Sequence, residues 1–149
     1  MSLQERIMSE MKEAMRAKDA VKLEALRAIK SGILLAQTEA GSKEAISEEE
    51  ELKLLQKLVK QRKDSAAIYK EQKREDLAQP ELDQATVIEQ FLPAQLSEAE
   101  IETKVEEIIA QTGAAGMKDM GKVMGLASQE LAGKADGKTI SMIVKRKLS

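Results

Sequence analysis

The chain contains no cysteine and no histidine, and its aromatic residues are Tyr69 and Phe91 alone. Without cysteine there is no disulfide, no thiolate metal site and no cysteine nucleophile. Without histidine the usual neutral-pH general base and the commonest metal ligand are missing as well. Serine is left as a nucleophile, yet Ser65, Ser128 and Ser141 fall on expected helices with no sign of a strained strand-to-helix turn. No glycine-rich loop ends in Lys-Ser or Lys-Thr, and Gly121-Lys122-Val123 lacks both the spacing and the hydroxyl of a phosphate loop. These absences argue against catalysis by this chain alone. They lead us to expect neither metal nor cofactor.

Long apolar runs are absent too. No stretch approaches a membrane span, and MSLQERIM lacks the apolar centre of a secretion signal. The expectation is a cytoplasmic protein with no membrane partner. With so few aromatics the core must be aliphatic, which suits helix-on-helix packing better than a sheet. The methionines at 8, 11 and 15, and at 117, 120 and 124, read as gap-fillers of that core rather than as an adaptable groove.

What the sequence does have is helical periodicity. Leu3, Ile7, Met11 and Met15 define a first helix over Leu3–Ala17. Asp19 can cap a second, striped by Leu23, Leu26, Ile29 and Ile33 to about Gln37. Gly32 inside it points to close contact with a neighbouring helix. A polar loop around Gly41 follows. Ser47 with Glu50 then forms a capping box that opens a long third helix, continuing to about Lys73. Pro80 suits the first turn of a fourth helix, which stops at Phe91-Leu92-Pro93 because the residue before proline avoids helical angles. Ser97 and Glu100 make a second capping box. Helices follow with stripes at Ile101, Val105 and Ile108, at Met120, Val123 and Ala127 over 118–131, and at Ile140, Ile143 and Val144 after Asp136.

The fold class is therefore all-α. An N-terminal helical bundle or hairpin region with a long third helix (residues 1–93) is joined through Ala94-Gln95-Leu96 to a small three-helix C-terminal domain (residues 97–149). The acidic runs Glu48–Glu51 and Glu98–Glu107 follow cap serines, where carboxylates complement a helix N-terminus, and this reading is preferred to cation binding.

The formal net charge is −2, but distribution matters more than the sum. One basic cluster comprises Lys57, Lys60, Arg62, Lys63, Lys70, Lys73 and Arg74. The other lies in the C-terminal 37 residues and comprises Lys118, Lys122, Lys134, Lys138, Lys145, Arg146 and Lys147. Within the second, six of the eight glycines fall between Gly113 and Lys138. Gly113 reads as a helix stop and Gly133 as a tight turn, with Gly121 and Gly137 as further structural glycines. Helix starts near Met117 and Asp136 should offer free backbone N–H groups beside the lysines, a combination suited to phosphates.

The run Met117-Lys118-Asp119-Met120-Gly121-Lys122-Val123-Met124, followed by Gly133-Lys134-Ala135-Asp136-Gly137-Lys138, resembles the signature of the YqeY family. So do Lys60-Gln61-Arg62, Arg74-Glu75-Asp76-Leu77 and Leu92-Pro93, so the likeness covers nearly the whole chain. Lys73 stands where the family's glycine is expected, and Pro80 interrupts a usually unbroken acidic helix. That bacterial family is similar to the C-terminal tail of GatB, the tRNA-handling subunit of the tRNA-dependent amidotransferase. The resemblance implies engagement of tRNA or another structured RNA by an accessory protein. Its RNA-binding residues would be Lys118, Lys122, Lys134, Lys138, Lys145 and Arg146, extended by Lys60, Arg62, Lys63, Lys70, Lys73 and Arg74. Two other readings stay open. One is a protein–protein adaptor of the amidotransferase or an aminoacyl-tRNA synthetase complex. The other is the glutamine-dependent carbon–nitrogen ligase activity that the family label carries.

Overall fold

A computed structural model describes residues 2–39 and 46–149; the loop expected around Gly41 lies outside them. Among the described residues the chain forms seven α-helices, one short 3₁₀ turn and no strand. The protein is all-α. It divides into two compact units, Met1–Leu92 and Pro93–Ser149.

In the first unit α1 (Leu3–Ala17) is capped by Ser2, whose hydroxyl accepts from the Glu5 N–H at 3.1 Å. It ends at Lys18 with φ +55°, where the Asp19 N–H returns to the Ala14 carbonyl and the Lys18 N–H to that of Met15. These are the two bonds of a Schellman stop. Asp19 then caps α2 (Ala20–Glu39) through the Lys22 N–H at 3.1 Å. Ser47 accepts the Glu50 N–H to start α3 (Glu48–Glu71), whose first turn holds four glutamates against the positive helix end.

The turn from α3 to α4 (Glu75–Glu89) is a second Schellman stop. Here Lys73 takes φ +60°, the Arg74 N–H reaches the Tyr69 carbonyl at 2.8 Å and the Lys73 N–H reaches that of Lys70 at 3.0 Å. α3 therefore stops earlier than the expected Lys73. α4 starts earlier too, at Glu75, with the Arg74 carbonyl accepting from Leu77 and Ala78. Pro80 is thus its sixth residue rather than a first-turn residue. The Asp76 carbonyl, four residues back, loses its helical donor there.

α2 supplies the centre of this unit. Leu26, Ile29 and Ile33 are fully buried against Ile7 and Ala14 of α1, Leu55 and Val59 of α3, and Ala85 and Ile88 of α4. Burying each large aliphatic side chain contributes about 1.5–3 kcal/mol, so these few residues dominate the unit's stability. Gly32 has the close neighbour its position suggests. A Cβ built there would lie 2.8 Å from Leu54 Cδ1, so α2 and α3 approach through the missing side chain.

The second unit has α5 (Glu98–Thr112), a 3₁₀ turn at Met117–Asp119, α6 (Met120–Glu130) and α7 (Gly137–Leu148). The expected single helix over 118–131 is thus a 3₁₀ turn plus a shorter α-helix. Ser97 and Glu100 form both halves of their capping box, at 3.2 and 3.0 Å. Gly113 ends α5 at φ +67°, and buried Gly133 turns the chain at φ +76°. The segment Ala94-Gln95-Leu96 is tied into this unit. The Gln95 side-chain amide donates to the Gly133 carbonyl at 2.6 Å, and the Leu96 N–H donates to that of Lys134 at 2.9 Å. Ile101, Val105 and Ile108 pack on Val123, Ala127, Leu131, Ile140, Ile143 and Val144.

Not all the methionines fill the core. Met11, Met120 and Met124 pack against it, but Met8, Met15 and Met117 stand largely in solvent. The scarcity of aromatics suggested core filling for all of them, and of these three only Met15 falls on an expected apolar stripe. Among the described residues α2 is the one helix whose backbone runs close to α1, so one flank of α1 is left uncovered.

Candidate nucleic-acid interface

The C-terminal lysines sit on a frame fixed by α5. Glu98, Glu102 and Glu106 recur every four residues and so share one face of that helix. Arg146 and Lys147, in the last turn of α7, meet this face. Lys147 Nζ lies 2.7 Å from carboxylate oxygens of both Glu102 and Glu106, and Arg146 lies 3.4 Å from Glu102 and 3.6 Å from Glu98. The Lys147 hydrogen bond, then its charge, holds the Glu102 carboxyl below the ordinary glutamate range. Glu102 first and Glu106 second push the Lys147 ammonium up. The acidic run of α5 therefore does more than favour its own helix start. Three of its five glutamates orient α7.

Arg146 is consequently not a free cation, unlike the other five C-terminal candidates. Lys118, on the 3₁₀ turn, and Lys122, on α6, are exposed, as are Lys134 in the turn at Gly133 and Lys138 and Lys145 on α7. None of the five makes an ion pair among the described residues. Lys138 and Lys145 are seven residues apart and occupy one face of α7. The 3₁₀ turn carrying Lys118 packs on both α6 and α7.

The free amides expected at the helix starts are partly taken. Asp136 Oδ1 accepts the Thr139 N–H at 2.7 Å and its Oδ2 the Thr139 hydroxyl, and Asp119 accepts the Ala115 N–H at 2.8 Å. At α7 the N–H groups of Gly137 and Lys138 remain without an acceptor among the described residues. A Cβ added at Gly121, Gly125 or Gly137 would meet nothing within 4 Å, and none of the three has a positive φ. Neither packing nor backbone angle requires glycine at these places.

The N-terminal basic cluster is largely committed to its own unit. Lys60 pairs with Asp64 at 2.8 Å and Lys63 with Glu89 of α4 at 2.7 Å, while Arg74 holds Asp76 through two bonds of 3.0 Å. Arg62 is a strut: its Nε donates to Oε1 of buried Gln84 at 3.1 Å and its Nη1 to the Leu58 carbonyl at 3.2 Å. Lys70 and Lys73 are exposed and without an ion pair among the described residues. Gln84 went unnoticed in the sequence, where only its place on an otherwise apolar stripe marks it. Among the described residues no group of three or more carboxylates is arranged to hold a metal ion, and no helix is long and apolar enough to cross a membrane.

Comparison with known proteins gives this arrangement a context. The profile of the Yqey-like protein (YqeY) family matches residues 4–148. A glutamyl-tRNA(Gln) amidotransferase subunit from Thermococcus gammatolerans is 41% identical over 73 residues, 46% of this chain, and its counterpart in Thermococcus sibiricus is 42% identical over 57 residues, 36% of this chain. The matching segments span 12% and 9% of those two proteins. A fungal relative, Altered inheritance of mitochondria protein 41, mitochondrial, of Clavispora lusitaniae, is 35% identical over 103 residues, covering 67% of this chain and 58% of that protein.

Proposed function

The chain belongs to the Yqey-like family, and we propose that it is an accessory protein that binds tRNA or another structured RNA through its C-terminal unit. The observation that carries this reading is the contrast between Arg146, paired with α5, and five lysines of the same unit that have no ion pair among the described residues: Lys118, Lys122, Lys134, Lys138 and Lys145. Exposed cations with no internal partner suit phosphates, and the bare surface at Gly121, Gly125 and Gly137 lets a sugar–phosphate backbone come close. Two exposed N–H groups at the start of α7 add donors, although Asp136 beside them opposes an anion. Lys70 and Lys73 form a smaller, second set of contacts. With Tyr69 and Phe91 the only aromatics, stacking on single-stranded bases has little support, and shape-read RNA is favoured. The names of two relatives place them in glutamyl-tRNA(Gln) amidotransferase, which supports an RNA-handling role in that setting, carried out here in the cytoplasm.

The test compares single neutralisations in a tRNA-binding assay over a salt series. Lys122→Gln, Lys138→Gln and Lys145→Gln should each weaken binding and reduce the salt slope by about one, whereas Arg146→Gln should leave the slope unchanged. A larger loss from Arg146→Gln than from the lysines overturns this reading. Ammonia release from glutamine by the purified chain would favour the ligase reading instead.

A further inference from the structure

The flank of α1 and α2 that faces solvent is apolar where polar residues are the rule. Met8 is 46% exposed, Met15 52% and Leu34 51%. Met8 and Leu34 line a groove of about 250 Å³, walled further by Gln4, Ile7, Lys30 and Ile33. On α2, Leu23, Arg27, Lys30 and Leu34 follow at helical spacing, and on α1 so do Gln4, Met8, Lys12 and Met15, so each helix presents one continuous stripe. The rim is cationic. Lys12, Arg27 and Lys30 make no ion pair among the described residues, and one carboxylate, that of Glu5, stands beside Met8 and Lys12.

We propose that this groove docks a short amphipathic helix with acidic flanks, carried by a protein partner. An apolar floor selects a helix stripe at i, i+3, i+4 and i+7, and unbranched methionines adapt to its side chains. The cationic rim sets the sign of the flanks. At 15 residues α1 is about 22 Å long, which accommodates roughly four turns of a partner helix. A second copy of the chain is a poor occupant. Its acidic helix α5 already buries Ile101, Val105 and Ile108 in its own core and commits Glu98, Glu102 and Glu106 to α7. This inference is independent of RNA binding, because every residue it uses lies in α1 or α2.

Because the chain has no tryptophan, a tryptophan placed in a peptide's apolar stripe reports docking directly. The probe is a synthetic amphipathic helix with glutamate flanks, compared with the same stripe bearing lysine flanks. The expected result is a blue shift with the acidic peptide and at least tenfold weaker binding of the lysine version. Met8→Glu and Leu34→Glu, both at exposed positions that leave the core intact, should each weaken the acidic peptide tenfold or more. Leu35→Glu, 60% exposed but outside the groove, should change nothing, and Lys30→Glu should narrow the preference for acidic flanks. No blue shift, equal binding of both peptides, or indifference to Met8→Glu overturns the proposal. So does a dimer in light scattering that Leu34→Glu dissolves, because the occupant would then be a second copy.

Discussion

Replacing Lys73 by glycine should stabilise the N-terminal unit, and the size of the gain follows from one dihedral angle. Lys73 holds φ +60° at the turn between α3 and α4, with both Schellman hydrogen bonds formed around it. A left-handed conformation costs a residue with a Cβ roughly 1–2 kcal/mol, while glycine adopts it about as readily as a negative φ. Glycine also loosens the unfolded chain, which returns about 0.4–1 kcal/mol. The net gain is then about 0.5–1 kcal/mol, or a rise of roughly 2–8 °C in Tm for a unit of this size. Urea and thermal unfolding followed by far-UV circular dichroism give the measurement. Lys73→Ala is the control that removes the charge and keeps the Cβ, and it should give no gain. Gly113→Ala, at φ +67° in the C-terminal unit, should cost about 0.5–1 kcal/mol by the same reasoning. Equal stabilisation by Lys73→Ala and Lys73→Gly, or no change with glycine, would refute the strain argument.

Three further outcomes are expected. Arg62→Ala leaves buried Gln84 without its donor and should cost the N-terminal unit about 1–3 kcal/mol, read from urea midpoints. The α5–α7 ion pairs should loosen at both ends of the pH scale. The depressed Glu102 contributes stability above its unfolded pKa that is lost as acid protonates it, and the raised Lys147 contributes stability below its unfolded pKa that is lost as alkali removes its proton. The opening free energy of α7, taken from amide exchange relative to the unstructured-peptide rate at each pH, should therefore be largest near neutrality and vary less with pH for Glu102→Gln combined with Lys147→Gln. Gly125→Ala, adding a Cβ to open space in mid-helix, should stabilise the C-terminal unit by about 1 kcal/mol while weakening tRNA binding; tighter binding would contradict the close-approach argument.

Local signals were legible in the sequence wherever a short side chain completes a helix end. Asp19, Ser97 and Asp136 cap as their spacing indicates, Ser47 forms the serine half of its expected box, and Gly113 stops α5 in the left-handed region. The Schellman stops at Lys18 and Lys73 were not, because lysine carries no conformational cue for a positive φ. The absence of the expected glycine at 73 was the one hint. Charges were harder still. Lys63 finds Glu89 on another helix, and Lys147 finds Glu102 and Glu106 across more than 40 positions of sequence, so no local window separates a paired cation from one left to a ligand. Counting bases put Arg146, Lys60, Lys63 and Arg74 beside Lys122 and Lys138. Asp64 and Asp76 stand within four residues of Lys60 and Arg74, but only the packed helices set Lys63 and Arg146 apart. Exposed Met15 belongs to the same class of problem, since period alone does not say whether a neighbour covers the stripe.

Fluorescently labelled tRNA titrated with the full chain at stepped salt concentrations tests the central claim most directly. Five unpaired lysines neutralising up to five phosphates should give log K against log salt a slope of about −4, with binding readily detected at low salt. Failure to bind at the lowest salt, or an affinity indifferent to salt, would contradict the account.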